Sequence, residues 1–411
     1  MAVKMTRFLL TSVLAAALIL APAAFAGESP TFYKDVLPIV QENCQSCHRP
    51  EGLNMGGMIA PMAFVDYAGT RPWAKSIARV VADREMPPWH ARAEFNGVFR
   101  NERTLTDDEI ETLVEWVRTG AAKGDEAEAP ESIAWTNAEW RLGEPDLIVS
   151  LPEPFWVADD VEDQYKNIPV TITKEMLPVP RYIRASEARG GSKVVHHIVA
   201  RPIGGMAPGG GHQEFIEGYG TLLEPGTVVN FNMHYHKEPG EGTGTWDQSR
   251  VALWFHTTPV YHPVRSTAIG NWTFEVPPGE ADWRVGASMI LDEDTTLLSM
   301  TPHMHLRGSA AKYTAFYPDG TVEVLLDVPE YDFNWQTAYT YVEPKLLPAG
   351  TRLQYEAHFD NSDDNPANPD SSQAVHYGGP TTDEMMLGFM RLAPTKSIVL
   401  MEVPSAGGAG L

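Results

Sequence analysis

The sequence predicts a multidomain protein: a small all-α module followed by two antiparallel β-sandwich domains. Three observations lead there. The chain has 411 residues, too many for one compact domain. Helical periodicity with a helix-start signal is confined to roughly the first 120 residues, and short β-branched or aromatic runs bounded by turn residues fill the rest. Gly and Pro, 34 and 33 residues, suit many turns and short strands rather than a helical bundle. Hydrophobic residues at 43% and charged residues at 21% are ordinary globular values and exclude wholesale disorder. A net charge of -23 argues against a broad grip on nucleic-acid phosphates, so no nucleic-acid partner is expected. Two cysteines exclude a disulfide-stapled scaffold.

Residues 1–26 read as a secretory signal peptide. Lys4 and Arg7 give the positive start, Leu9 to Ala21 the apolar stretch, and Ala24-Phe25-Ala26 the cleavage site. The apolar run is short for a membrane anchor, and no later segment offers 18 uninterrupted apolar residues. A periplasmic or secreted protein is expected, with no membrane span once the signal is removed.

In an exported chain two cysteines would ordinarily pair. Here they stand in Cys44-Gln45-Ser46-Cys47-His48. Two thiols at this spacing can form thioethers to the two haem vinyl groups, and the next residue places an imidazole under the iron. Phe32 to Asn43 reads as an amphipathic helix running into the motif. Thr106 and Glu109 form a capping box, and the helix over Ile110 to Thr119 stops at Gly120. This pattern, over about residues 28–125, resembles a small class I cytochrome c with covalent haem c. Candidate sixth ligands to the iron are Met55, Met58, Met62 and Met86, with His90 a weaker choice. Met86 is preferred, because Pro87 and Pro88 stiffen the chain beside its sulfur.

Residues 121–132 have linker composition. Beyond them, Asp146 to Leu151, Lys193 to Arg201, Thr227 to His236, Arg250 to Thr257, Thr295 to His305 and Arg352 to Phe359 read as strands, and Tyr317-Pro318-Asp319-Gly320 as a turn. The expected division is signal peptide 1–26, haem module 27–125, linker 126–143, first β domain 144–271, second β domain 272–400 and tail 401–411.

Thirteen histidines are present, and six of them cluster in the β region. His196 and His197 are adjacent, His234 and His236 are two apart, and so are His303 and His305. Residues i and i+2 on a strand face the same side, so His-x-His can hold one metal ion. Adjacent histidines on a regular strand face opposite sides. For His196 and His197 to reach one ion, the strand must be irregular there, or one ring must bind through Nδ1. Imidazole-rich sites without thiolate suit copper or zinc, and a methionine among the ligands favours Cu(I).

These clusters carry a second resemblance. Residues from about 140 to 395 are similar to the copper type II, ascorbate-dependent monooxygenases, the group of peptidylglycine α-hydroxylating and dopamine β-monooxygenases. The resemblance implies two consecutive jelly-roll-like β-sandwiches, each holding one copper ion across a solvent-filled cleft. It assigns His196, His197 and His234 to the first copper. It assigns His303, His305 and Met385, in Thr382-Asp383-Glu384-Met385, to the second, where O2 would react. His236 is then not a ligand, His358 and His376 stay structural, and Met386 is the rival of Met385. The family's substrate-carboxylate arginine corresponds to Thr301, and its asparagine and tyrosine to Leu387 and Phe389. These departures point away from peptide substrates and towards a small or apolar one.

The expected function is therefore that of a haem c-containing dicopper monooxygenase. It would take electrons from an external donor through the haem to the His196/His197/His234 copper, and hydroxylate a small-molecule substrate with O2. The competing expectations are a non-catalytic electron-transfer or copper-binding protein on the same scaffold, and a β-sandwich binding module beside an unrelated cytochrome.

Overall fold

The computed structural model describes residues 29–50, 60–134, 140–207, 210 and 212–396. The signal-peptide and tail expectations, and the candidates Met55 and Met58, lie outside these residues. A small helical N-terminal region precedes a mainly β region built of small sheets.

The helical region follows from three apolar faces. Phe32–Val36 opens as a π-helical turn and continues as the α-helix Leu37–Asn43. Phe32, Val36 and Val40 recur every four residues on one buried face. They meet Ile77 and Val81 of the helix Ala74–Ala82 and Leu113 and Trp116 of the helix Asp107–Arg118. The last helix starts at the capping box. Glu109 N donates to Thr106 Oγ1 at 3.2 Å and Thr106 N to Glu109 Oε2 at 2.8 Å, so two otherwise orphaned donors are satisfied. The helix ends before Gly120, whose φ of 103° is left-handed backbone that a side chain would resist.

The segment 89–102, inside the module expected over 27–125, also packs on the β region. Trp89 and Phe99 are buried in the hydrophobic core of the second β half. Phe99 bridges Tyr341, Val342 N donates to Val98 O at 2.9 Å, and Arg100 N donates to Thr340 O at 2.9 Å. The segment is thus an extra edge strip on the β region, placed there by the burial of two aromatic rings.

The β region falls into two halves. In the first, a six-stranded sheet holds Leu147–Ser150, Arg250–Phe255, Arg181–Arg189, Tyr219–Leu223 and His262–Pro263, with Gln213–Glu214 beside it. A four-stranded sheet holds Asp163–Thr171, Val228–His236, Val195–Arg201 and Gly204–Met206. One core draws on both: Val149, Ile183, Val251 and Leu253 from the first, Ile198, Val229, Phe231 and Met233 from the second. Each such side chain contributes about 1.5–3 kcal/mol by leaving water. The second half repeats the plan with Arg265–Asn271, Met386–Pro394, Thr295–His303 and Tyr339–Leu347 in one sheet. Trp283–Ile290, Arg352–Phe359, Gly308–Phe316 and Val322–Val328 form the other. Leu297, Met300 and Met386 meet Val285, Leu326 and Tyr355 in its core.

The division differs from the expected break after residue 271. The strand Arg265–Asn271 pairs along its whole length with Met386–Pro394, from Arg265 opposite Leu392 to Asn271 opposite Met386. Its ladder hydrogen bonds belong to the second half, so the chain changes halves before Arg265. Nearby Gly and Pro residues suggest the later break, while pairing partners 115 to 127 residues away are invisible in sequence.

Candidate metal centres and haem site

The first histidine group is made by a strand irregularity. Val195–Arg201 pairs antiparallel with Val228–His236, with Val195 opposite Tyr235 and His197 opposite His234. His196 is the extra residue of a bulge between those two pairs. A bulge turns a side chain that would otherwise face away, which removes the objection that adjacent histidines diverge. His196, His197 and His234 each offer a ligand atom, all within 4.8 Å of one another. The ring centroids of His196 and His197 both lie 4.8 Å from that of His234. His196 Nδ1 is buried without a hydrogen-bond partner among the described residues, as a metal-directed nitrogen would be. His234 is only 1% exposed, and its Nε2 is held in a short hydrogen bond by Asp163 Oδ1. This leaves Nδ1 turned towards His197 Nδ1 at 3.2 Å. A carboxylate behind a ligating imidazole fixes ring orientation and raises basicity. Tyr165 stacks on His234 at 4.2 Å. His236, exposed at the strand end, stays outside the three.

Burial keeps the His196 and His197 rings neutral. Burial pushes His196 down to about 4, with the neighbouring His234 adding to it, and holds His197 well below the ordinary histidine value. Burial opposes ionisation of Asp163, yet its bond to His234 holds the carboxyl below the usual range. A neutral imidazole with a free lone pair is the form that binds a metal.

The second group lies at the end of the strand Thr295–His303. His303 is its last residue and His305 sits in the turn beyond, with ring centroids 5.4 Å apart. Between them Met304 is fully buried and faces the core. His303 Nδ1 bonds Gln336 Oε1 at 2.6 Å, and His305 Nδ1 bonds Asp383 O at 3.1 Å, so both rings keep Nε2 available. Burial lowers His303 and pushes His305 down to about 3.

Glu384 joins Met385 to this turn. Its buried carboxylate accepts from His305 N at 2.8 Å, Arg307 N at 2.7 Å and Met385 N at 3.2 Å. Burial raises this carboxyl to about 8 despite the backbone donors around it. Alternation separates the two methionines: Met386 lies in the hydrophobic core, while Met385, Leu387 and Phe389 take the other, half-buried face. That face borders the histidines, with Leu387 opposite His303 and the Phe389 ring 5.9 Å from the His303 ring.

The two groups face one another, and the space between them differs from the implied cleft. The Phe333 ring stacks on His196 at 5.4 Å and stands edge-on to His305 at 6.1 Å. Thr381 of the second half bonds Asp163 of the first at 3.2 Å, and the Arg201 guanidinium lies 5.0 Å over the Phe389 ring. Asp163, Phe333, Gln336 and Arg201 carry no motif and were missed in the sequence. Glu384 stood inside the motif, but nothing there announced its buried scaffold role. His358 and His376 pair with Asp282 at 2.6 Å and Glu275 at 3.7 Å, outside both groups.

In the helical region Cys44, Cys47 and His48 lie on one tight turn after the helix Leu37–Asn43, with Cys47 N and His48 N both donating to Cys44 O. Neither cysteine is in a disulfide, and burial raises the Cys44 thiol to about 12. His48 stacks on Phe64 at 4.5 Å, and its buried Nδ1 has no hydrogen-bond partner among the described residues. Gln45, 3% exposed, pins the turn by donating to Phe64 O at 2.9 Å. Met86 and Arg103 line a cavity of about 460 Å3 beside Ile110 of the last helix, and Arg103 lies near Cys47. Met62 packs against the helical core with Cys44, while His90 faces the charges of Asp332 and Glu330. Two thiols outside any disulfide on one turn, with the imidazole next to them, suit a covalent haem.

A family model described as Cytochrome c matches residues 38–121. The chain therefore carries a cytochrome c domain there, with haem c as its cofactor and electron transfer as its chemistry. The comparison with curated proteins finds no match. Among solved structures, the major capsid protein P2 from bacteriophage PM2 aligns at 8% identity and a TM-score of 0.26, covering 60% of this chain and 97% of that one. The VP2 subviral particle of infectious bursal disease virus aligns at 10% and 0.19, covering 64% and 75%. The STIV MCP aligns at 10% and 0.21, covering 52% and 95%. At such scores the likeness carries no argument. No helix among the described residues is long and apolar enough to cross a membrane.

Proposed function

We propose that the protein is an exported, haem c-containing dicopper monooxygenase. In this reading the β halves are two sandwiches, each supplying one histidine group. His196, His197 and His234 hold one copper ion, and His303, His305 and Met385 the other. The observation that carries the reading is the bulge at His196, which gathers three imidazoles that a regular strand would separate. A copper ion held there would supply one-electron redox chemistry, and the thioether of Met385 would favour its Cu(I) form. Around them the chain's own residues set the chemistry. Asp163 orients His234, Gln336 orients His303, and Glu384 holds Met385 against the His305 turn. Leu387, Phe389 and Phe333 make the intervening space apolar, which suits a small or apolar substrate. Cys44, Cys47 and His48 hold the haem, Met86 is its proposed sixth ligand, and an external donor reduces it.

The test is O2 uptake by the haem- and copper-loaded chain under a reducing donor. Replacing Cys44 and Cys47 with Ala is expected to abolish donor-driven uptake while leaving copper content intact. Loss of copper instead contradicts the division of labour. A second reading, a non-catalytic electron carrier on the same scaffold, is favoured by the ring of Phe333 filling the space between the two groups. It predicts copper and haem without substrate-dependent O2 uptake.

A further inference from the structure

The connection from residue 329 to residue 338, between the strands Val322–Val328 and Tyr339–Leu347, touches three parts of the molecule at once. Near its start the Tyr331 hydroxyl donates to Met304 O at 2.8 Å and accepts from Met304 N at 3.2 Å. Met304 is the residue between His303 and His305. In its middle, Phe333 lies flat on His196, with 16° between the rings, and edge-on to His305 at 83°. Next, Gln336, 5% exposed, accepts from His303 Nδ1. At its end Asn101, from the strip that precedes the last helix, donates to Ala338 O at 2.8 Å and accepts from Thr340 N at 3.1 Å.

We propose that Gln336 and Phe333 are positioning residues for the two histidine groups, and that the strip 89–102 fixes them through Asn101. The inference rests on the metal reading above for what the histidines hold, and on the contacts alone for how they are held. The Gln336 carbonyl oxygen can only accept, so it selects the His303 tautomer with a proton on Nδ1 and a lone pair on Nε2. Being neutral, it does this without adding charge to the site. Phe333 cannot ligate. Its ring contacts both the His196 and the His305 rings and excludes water between them. The loop is tied at both ends, so neither residue can drift. Asn101 supplies its second tie in the manner of a paired strand, satisfying one carbonyl and one amide.

Two measurements on the full haem-loaded chain test this. In the copper-free protein, nitrogen NMR of labelled histidines is expected to find His303 as the Nδ1–H tautomer. Gln336→Leu is expected to shift it to a mixture and Gln336→Glu to restore it. With Cu(II) added, Gln336→Leu is expected to weaken the second site by about 10–100-fold and change its EPR hyperfine pattern, leaving the first site unchanged. Phe333→Ala is expected to alter the magnetic coupling between the two Cu(II) ions at full occupancy. Asn101→Ala is expected to move the second-site spectrum in the direction of Gln336→Leu. Two bound Cu(II) with tautomer, affinity, spectrum and coupling unchanged in all these variants overturns the inference and leaves the metal reading standing. A tautomer that follows Gln336 in a chain taking up no Cu(II) sustains the positioning role and sinks the metal reading instead. Unchanged haem absorption and thermal unfolding in each variant exclude misfolding as the cause.

Discussion

Glu384 shows how one buried group can hold a site and tax the fold at the same time. Its carboxyl is raised to about 8 by burial, against about 4.3 in an unfolded chain. The unfolded state therefore ionises first, and stability falls as pH rises from about 4.5 to about 8. Glu384→Gln is expected to flatten that decline in metal-free protein, measured by denaturant unfolding at several pH values. Parallel curves for the two chains would count against the buried, neutral carboxyl. The histidines run the other way. His196 and His305 are depressed to about 4 and about 3, so their contribution is present above about 6.5 and lost as pH falls through those values. Asp163 acts behind His234, and Asp163→Asn is expected to weaken copper at the first group by about 10–100-fold while sparing the second, read by chelator competition. The histidine clusters were legible as residue types and spacings, while the choice of six ligands, Met385 among them, came only with the family resemblance. Their supports were not legible, because Asp163, Gln336 and Phe333 reach the histidines from 28 or more positions away with no pattern to announce them.

At the scale of elements the sequence was most legible where chemistry is local. The capping box at Thr106 and the left-handed stop at Gly120 are set by neighbours within a turn. The turn at Tyr317 to Gly320 follows from the same kind of signal, with Gly320 at φ 90°. The strand Arg352–Phe359 was legible to the residue from its alternation. The bulge at His196 was legible only as a requirement: two adjacent histidines could not share an ion unless the strand broke step there. What supplies the break is the register against Val228–His236, a long-range fact. Long-range pairing also explains why Arg265–Asn271 joins the second half. The strip 89–102 is the least legible element, since nothing local distinguishes an aromatic that covers haem from one that fills a β core. Phe99 is 2% exposed within that core. Phe99→Ala is expected to cost about 3–5 kcal/mol in unfolding of the second half, seen as an earlier denaturant midpoint. A cost below about 1 kcal/mol would mean the strip is only draped on the surface.

For the whole molecule, the arrangement brings the haem-binding residues and the two histidine groups onto one framework. The cytochrome c domain is tied to the second half through the strip 89–102, and the two halves meet at their histidine faces across Phe333. The Thr381–Asp163 bond and the Arg201–Phe389 contact close the same interface. The central claim is that both histidine groups hold copper in a chain that also holds haem. The measurement that tests it most directly is copper and iron content per chain, on protein matured with haem, reconstituted with copper and dialysed. The account predicts two copper per iron, falling to one when His305 or Met385 is replaced and, separately, when His234 is replaced. Iron without copper in the unaltered chain would contradict it and leave a cytochrome joined to a β-rich region of another purpose.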